Sequence, residues 1–278
     1  MDEASTGTDE PAAPLLTEDT RALADDYERI SAERQFRSGQ RLVAELAIGA
    51  GERVLDLGCG TGLLAQHIAG LVGARGHVLG LDPLPLRIEL AQAKTQANLV
   101  FRVGNAYDLD DLPDGGFDVA CLNAVFHWLP EKAGPLRQLA RVLRPGGRLG
   151  IGTSLKDRVS PLHEVAAQVL SRPPFREHPR ARAQITYRVS EQEMHDLLEA
   201  AGFTPTRIAV QPVVQTYDTA EAAIRFAEAS SFGNFLGHLP EALRPSARAA
   251  IEHDLEAIAS RDGIRREGRR LVAIAVRR

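Results

Sequence analysis

The sequence has little of what would set it apart from ordinary soluble globular proteins. Two cysteines in 278 residues cannot build a secreted disulfide framework, and no charged, apolar and small-residue leader opens the chain. No apolar run approaches the ~18 residues of a membrane span. No histidine, cysteine or carboxylate cluster has metal-site spacing, so no metal is expected. Lysine is scarce: Lys94, Lys132 and Lys156 are the only three among 33 basic residues. Arginine-specific recognition and a GC-rich genome would each produce that bias. The net charge of −4 lacks the basic footprint of a general nucleic-acid binder. These absences give a cytoplasmic protein, with no nucleic-acid or membrane partner, as the expectation.

What is present is a composition of 44% hydrophobic and 25% charged residues, that of a globular protein large enough to bury a sizeable core. Residues 1–20 are small, acidic and without apolar periodicity, which predicts a disordered tail. Amphipathic spacing from Arg21 to Ala50 predicts a helical stretch, with Gly49 and Gly51 bracketing its stop. Strands are then expected at Arg53–Leu57, His77–Leu81, Leu99–Val103, Phe117–Leu122 and Arg148–Gly152. Helices are expected between them at Leu63–Leu71, Arg87–Ala97 and Pro135–Leu143. Strands alternating with helices imply parallel units with right-handed crossovers. Beyond them lie residues 155–189, a short helical stretch and then an irregular Arg/Pro/His-rich segment from Ser171 to Arg188. A helix Ser190–Ala201 opened by a Ser190/Glu193 capping box, a strand at Arg207–Val214, two helices within Thr219–Ser260 and a last strand at Leu271–Val276 follow. The expected fold class is α/β: one domain with a doubly wound, mostly parallel seven-stranded sheet. Residues 21–154 form its cofactor-binding core with the N-terminal helices, and residues 155–278 complete the sheet and add a helical cap.

The most informative stretch is Val54-Leu55-Asp56-Leu57-Gly58-Cys59-Gly60-Thr61-Gly62. Glycines let the chain turn sharply and let a ligand approach without a Cβ in the way. The spacing is G-x-G-x-G, not the G-x-G-x-x-G of the dinucleotide fingerprint. Asp56 inside the turn would repel a pyrophosphate and attract an ammonium. Asp82 closes the second strand, where a carboxylate can accept from both ribose hydroxyls. Gly104-Asn105-Ala106, after the third strand, reaches the same crevice, and an Asn105 carbonyl there could accept from an adenine amino group.

With these residues in order, followed by Leu143–Leu149 (LRPGGRL), the sequence resembles the class I S-adenosylmethionine-dependent methyltransferases over roughly residues 25–278. The resemblance implies a Rossmann-like sheet and S-adenosyl-L-methionine as cofactor, with S-adenosyl-L-homocysteine as product. It implies that Asp56, Gly58, Gly60 and Gly62 surround the methionine part and that Asp82 holds the ribose. Pro83 or Leu84 would then pack on adenine, with Asn105 and Ala106 reading its edge. Tyr27, Ile30–Arg34 and Asn123–Pro130 are similar to the trans-aconitate and malonyl-carrier-protein O-methyltransferases. By that likeness Tyr27 and Arg34 approach the cofactor or a substrate carboxylate, and Asn123 lines the cofactor pocket. The Arg-Pro usual in that subgroup is absent, with Arg37-Ser38 nearby, so substrate details do not carry over.

Methyl transfer asks mainly for close, collinear placement in a dry pocket. A carboxylate acceptor, ionised at neutral pH, needs no base, whereas a phenol or alcohol gains from one. His127, the histidine beside the expected methyl position, is the candidate base, and a pocket-lining role is its alternative. Trp128 is either a substrate wall or core packing. Arg172, Arg176, Arg180, Arg182 and Arg188 would favour an anionic or carrier-protein-bound acceptor if they face inward. The expected activity is methylation of a small molecule, with O-methylation of a carboxylate or hydroxyl favoured and N- or C-methylation as the alternative. A nucleic-acid methyltransferase is disfavoured because Asn123-Ala124-Val125-Phe126 lacks an Asn/Asp-Pro-Pro-aromatic run. A non-catalytic cofactor-binding protein also stays open, as does monomer or homodimer.

Overall fold

The computed structural model describes residues 20–156, 161–178, 186–230 and 235–278. All of the expected tail but Thr20 therefore lies outside the described residues. The N-terminal helical stretch has three parts: α1 (Arg21–Asp26), a π-helical segment (Tyr27–Ala32) and α2 (Glu33–Leu46). The stretch ends ahead of Gly49, because Ala47 takes the left-handed conformation at φ 49°.

Strands and helices then alternate as β1 (Arg53–Leu57), α3 (Leu63–Val72), β2 (His77–Asp82), α4 (Pro85–Gln92), β3 (Leu99–Val103), β4 (Phe117–Asn123), α5 (Ala133–Val142) and β5 (Leu143–Ser154). The remaining elements are α6 (Pro161–Leu170), α7 (Glu191–Ala200), β6 (Phe203–Tyr217), α8 (Ala220–Ser230), α9 (Arg244–Glu256) and β7 (Ile264–Arg277). The helix expected at Arg87–Ala97 is α4, displaced toward its Pro85 start, where a fixed φ suits the first helical turn. The capping box at Ser190 and Glu193 opens α7.

The seven strands form one sheet in the order β3-β2-β1-β4-β5-β7-β6. β1 to β5 run parallel, and β7 is antiparallel to both β5 and β6. Val54 to Leu57 are all buried, as expected of a strand covered on both faces. Leu55, Leu81 and Leu122 pack toward Leu136, Met194 and Leu198 of α5 and α7. On the other face Val54, Val78 and Val119 pack toward Leu42, Ile68 and Ile88 of α2, α3 and α4. The strand order reverses between β1 and β4, which opens a crevice outside the strands' carboxyl ends.

The edge hairpin is longer than the sequence suggests. β6 and β7 pair from Phe203↔Arg277 to Tyr217↔Ile264, while β5 meets β7 only from Arg148↔Val276 to Ser154↔Arg270. The start of β7 thus overhangs the sheet. Its cross-strand bonds continue where its side chains are half-exposed arginines instead of an apolar alternation. Over this overhang α6, α8 and α9 share a separate core of Leu162, Val169, Ile224, Phe235 and Ile251. Among the described residues no helix is long and apolar enough to cross a membrane.

Candidate active site

The glycine turn is fixed from both sides. Gly58 and Cys59 donate their backbone N–H groups to Leu81 O at 2.7 and 2.9 Å. Asp82 accepts from Gly60 N at 2.9 Å and from Leu84 N at 3.0 Å, so its carboxylate ties the turn to the end of β2. Gly58 and Gly60 have φ of +80° and +55°, conformations that disfavour any side chain. A Cβ on Gly58 would come within 2.1 Å of Val125, and one on Gly60 within 2.9 Å of the Tyr27 hydroxyl. Gly62 differs: a Cβ there would meet Phe101 and Ala91. It therefore shapes the start of α3 and packs inward, lining neither cleft beside the turn.

Asp56 is 1% exposed. One carboxylate oxygen accepts from the Cys121 thiol at 3.4 Å, and Oδ2 is buried with no hydrogen-bond partner. Burial, reinforced by the charge of Asp82, raises its pKa to about 7. An unpaired buried carboxylate is costly, and a cationic group set against Oδ2 would relieve it.

Two small clefts of ≈ 20 and ≈ 70 Å³ flank the turn and share Tyr27, Gln35, Gly58 and Asn123. The first adds Asp56, Cys59 and Thr61; the second adds Asp82, Pro83, Asn105, Ala106 and Arg87. Of the residues singled out in the sequence, Tyr27, Asp56, Gly58, Asp82, Pro83, Asn105, Ala106 and Asn123 line this crevice, whereas Gly60, Gly62, Leu84, Arg34 and His127 do not. Asn105 also spends its carbonyl locally, accepting from Tyr107 N at 2.8 Å. Tyr27 stands between the clefts, 7% exposed. Its hydroxyl donates to Gln35 Oε1 at 3.0 Å, the Arg87 guanidinium lies 3.7 Å from its ring centroid, and burial pushes its phenol up to about 12. The donor set suits an adenosine-bearing, amino-acid-like cofactor. The two clefts are smaller than the ~300–1,000 Å³ usual for small-ligand pockets, so a ligand of that size needs them to widen.

Across a wall of Gln35, Ala124 and Trp128 lies a cavity of ≈ 740 Å³ between the sheet and the cap. Arg34 and His127 line it. Arg34 donates to the Tyr217 hydroxyl at 3.0 Å and stacks on Tyr217 and Phe226 at 5.0 and 4.6 Å. His127 Nδ1 is 3.0 Å from Thr153 Oγ1. Burial first, then the cations Arg188, Lys132, Arg266 and Arg270, lower its pKa to about 3, so the imidazole is neutral.

The arginines of the irregular segment divide. Arg188 lines the cavity, Arg172 is exposed and paired with Asp254 at 2.7 Å, Arg176 is exposed, and Arg180 and Arg182 lie outside the described residues. The other facing cations come from β7, which the sequence reading did not single out. Arg266 donates to Gln215 Oε1 at 3.0 Å. Arg270 donates to Asn123 Oδ1 at 2.8 Å and lies over Gly152, where a Cβ would be 1.8 Å from its Nη2. The period-two run Arg266-Gly268-Arg270 ahead of buried Leu271 was the available signal.

A family model described as a methyltransferase domain matches residues 55–151. The chain is 40% identical over 118 residues to an arsenite methyltransferase of Aquipseudomonas alcaligenes, covering 39% of this chain and 34% of that protein. It is 31% identical over 175 residues to a trans-aconitate 2-methyltransferase of Methylobacterium nodulans, covering 62% and 66%. The first relatives it matches are thus spanned over between 34% and 66% of their length. In fold it is similar to the chain solved in complex with a methyltransferase activator from Haloferax volcanii, with a TM-score of 0.59, 17% identity, and 96% and 99% of the two chains covered.

Proposed function

We propose that the chain is a class I S-adenosylmethionine-dependent methyltransferase, as its methyltransferase-domain match and its likeness to a trans-aconitate 2-methyltransferase support, and that it methylates a carboxylate oxygen of a small-molecule acceptor. The observation that carries the reading is the unpartnered Asp56 Oδ2 in a crevice that shares the wall of Gln35, Ala124 and Trp128 with a cationic cavity.

In this reading Asp56 faces the cationic amino-acid end of the cofactor and Asp82 the ribose hydroxyls. Pro83 and Ala106 flank the adenine, and Asn123 lines the junction. When bound, S-adenosylmethionine supplies a methyl carbon on a sulfonium, whose carbon–sulfur bond leaves its electron pair on sulfur as the acceptor oxygen bonds to carbon. The protein's own work is placement, which can supply ~7–11 kcal/mol of the barrier reduction. Arg270 and Arg266 orient an anionic acceptor, and the Trp128 side of the wall limits water.

The state of His127 favours a carboxylate over a phenol or alcohol. A general base works best with a pKa near the operating pH, and His127, at about 3, is far too weak to hold a hydroxyl proton. A carboxylate arrives without a proton to remove. His127 then acts as a neutral hydrogen-bonding wall residue.

Calorimetric titration with S-adenosylhomocysteine tests the cofactor half. One-to-one binding is expected, weakened tenfold or more by Asp82→Ala, which releases both the ribose acceptor and the clamp on Gly60. Absence of binding to the unaltered chain would end the proposal.

A further inference from the structure

We infer that the ≈ 740 Å³ cavity takes a monocarboxylic acid with a long apolar body, its head on Arg266 and Arg270 and its body along α6 and α8. The inference rests on the methyl-transfer reading and narrows its acceptor.

The head end is set by charge. Arg34, Arg266 and Arg270 donate to neutral oxygens, those of Tyr217, Gln215 and Asn123. Arg270 Nε is buried with no hydrogen-bond partner. No aspartate or glutamate stands among the described residues that line the cavity. Glu45 acts on Arg270 from outside the lining, but no carboxylate among the described residues of the lining meets these arginines. A carboxylate set in the guanidinium fork offsets the cost of their partial removal from water with charge-assisted hydrogen bonds. Arg270 also fixes where the head sits. Through Asn123, which walls both clefts, it holds an anion at the junction between cavity and crevice.

The body end is set by surface. Leu162, Ala166 and Leu170 from α6, Ala227 from α8, and Phe235 and Ile264 line the cavity, with His163, His178 and His238 among them. A second carboxylate carried there would lose water against a largely apolar lining whose described residues offer imidazoles but no aspartate, glutamate or lysine. The volume lies well up the ~300–1,000 Å³ range of drug-sized ligand sites, more than a compact polyacid fills. A small tricarboxylate is therefore a poor match, whereas a chain or ring system with one acidic end matches both walls.

Trp128 is the sole tryptophan of the chain and lines both cavity and crevice, so its emission reports occupancy without turnover. The full chain, free of methyl donor, is titrated with octanoate, dodecanoate, dodecan-1-ol and trans-aconitate below micelle-forming concentrations. Saturable binding of dodecanoate is expected, about tenfold or more tighter than that of the alcohol or of trans-aconitate. Arg266→Gln and Arg270→Gln should each weaken dodecanoate about tenfold, leaving the alcohol unaffected. Ala166→Phe, which shortens the apolar end, should shift the preference toward octanoate, with circular dichroism verifying that each variant is folded. Equal affinity for acid and alcohol, tighter binding of trans-aconitate, or no response to either acid would overturn the inference. S-adenosylhomocysteine titrated into the same samples separates the two readings. If it binds and the acids do not, the acceptor class alone is wrong. If the acids bind and it does not, the methyl-transfer reading fails and the cavity remains an acid-binding site.

Discussion

Asp56 makes the crevice responsive to pH. Burial, with Asp82 beside it, holds its pKa at about 7, so its ionised fraction rises roughly tenfold between pH 6 and pH 8. Affinity for S-adenosylhomocysteine, whose ammonium is to meet that carboxylate, should rise by a similar factor over the same interval. Calorimetry across that range measures it, and Asp56→Asn should leave a flat, weaker profile. Gly58 makes a second prediction. Its φ of +80° and the approach of Val125 leave no place for a methyl group. A left-handed alanine alone costs ~1–2 kcal/mol, and displacing Val125 adds to it. Gly58→Ala should thus lower stability by at least ~1–2 kcal/mol in urea unfolding and weaken cofactor binding together.

Among the elements, legibility in the sequence tracked how local the determinants are. β1, the glycine turn and α3 could be read directly, because apolar run, turn glycines and helix lie within twenty residues of one another (Arg53–Val72). The capping box of α7 was legible for the same reason, and its contribution is measurable. Ser190 Oγ accepts from Glu193 N at 3.1 Å and Glu193 accepts from Ser190 N at 2.7 Å. Ser190→Ala should therefore reduce stability by ~1 kcal/mol in denaturant unfolding. The overhanging half of β7 was not legible. Arg266 and Arg270 reach the site through pairing with β6 and through Gly152 of β5, contacts between residues distant in sequence. The arginine-rich segment 172–188 drew attention by composition, yet Arg172 turns outward to Asp254. Composition marks where charge is available; strand register decides which face it occupies.

For the whole molecule, two buried groups oppose each other in their effect on stability with pH. His127 falls from 6.5 to about 3 on folding, so its contribution is complete above pH 6.5 and is lost as pH falls toward 3. Asp56 rises from 3.8 to about 7, so burying it becomes less favourable as pH rises through that range. Between about pH 4 and 6.5 the two slopes, each at most ~1.4 kcal/mol per pH unit, cancel. His127→Gln removes one of them. The stability difference between the unaltered protein and this variant, followed by urea unfolding, should change by about that slope across the window; a constant difference would show that His127 is not held neutral. A last consequence comes from the tyrosine wedged between the two clefts. Its ring lines both clefts, of ≈ 20 and ≈ 70 Å³, too small for the proposed donor as they stand, so we expect capture to proceed only from molecules in which the ring has moved aside. In rapid mixing with S-adenosylhomocysteine the observed rate should level off as ligand is raised, at the frequency of that swing, whereas Tyr27→Ala should climb in proportion to concentration. On that expectation the opening turns of the polypeptide would act as a timer, setting how often the crevice takes up a fresh ligand.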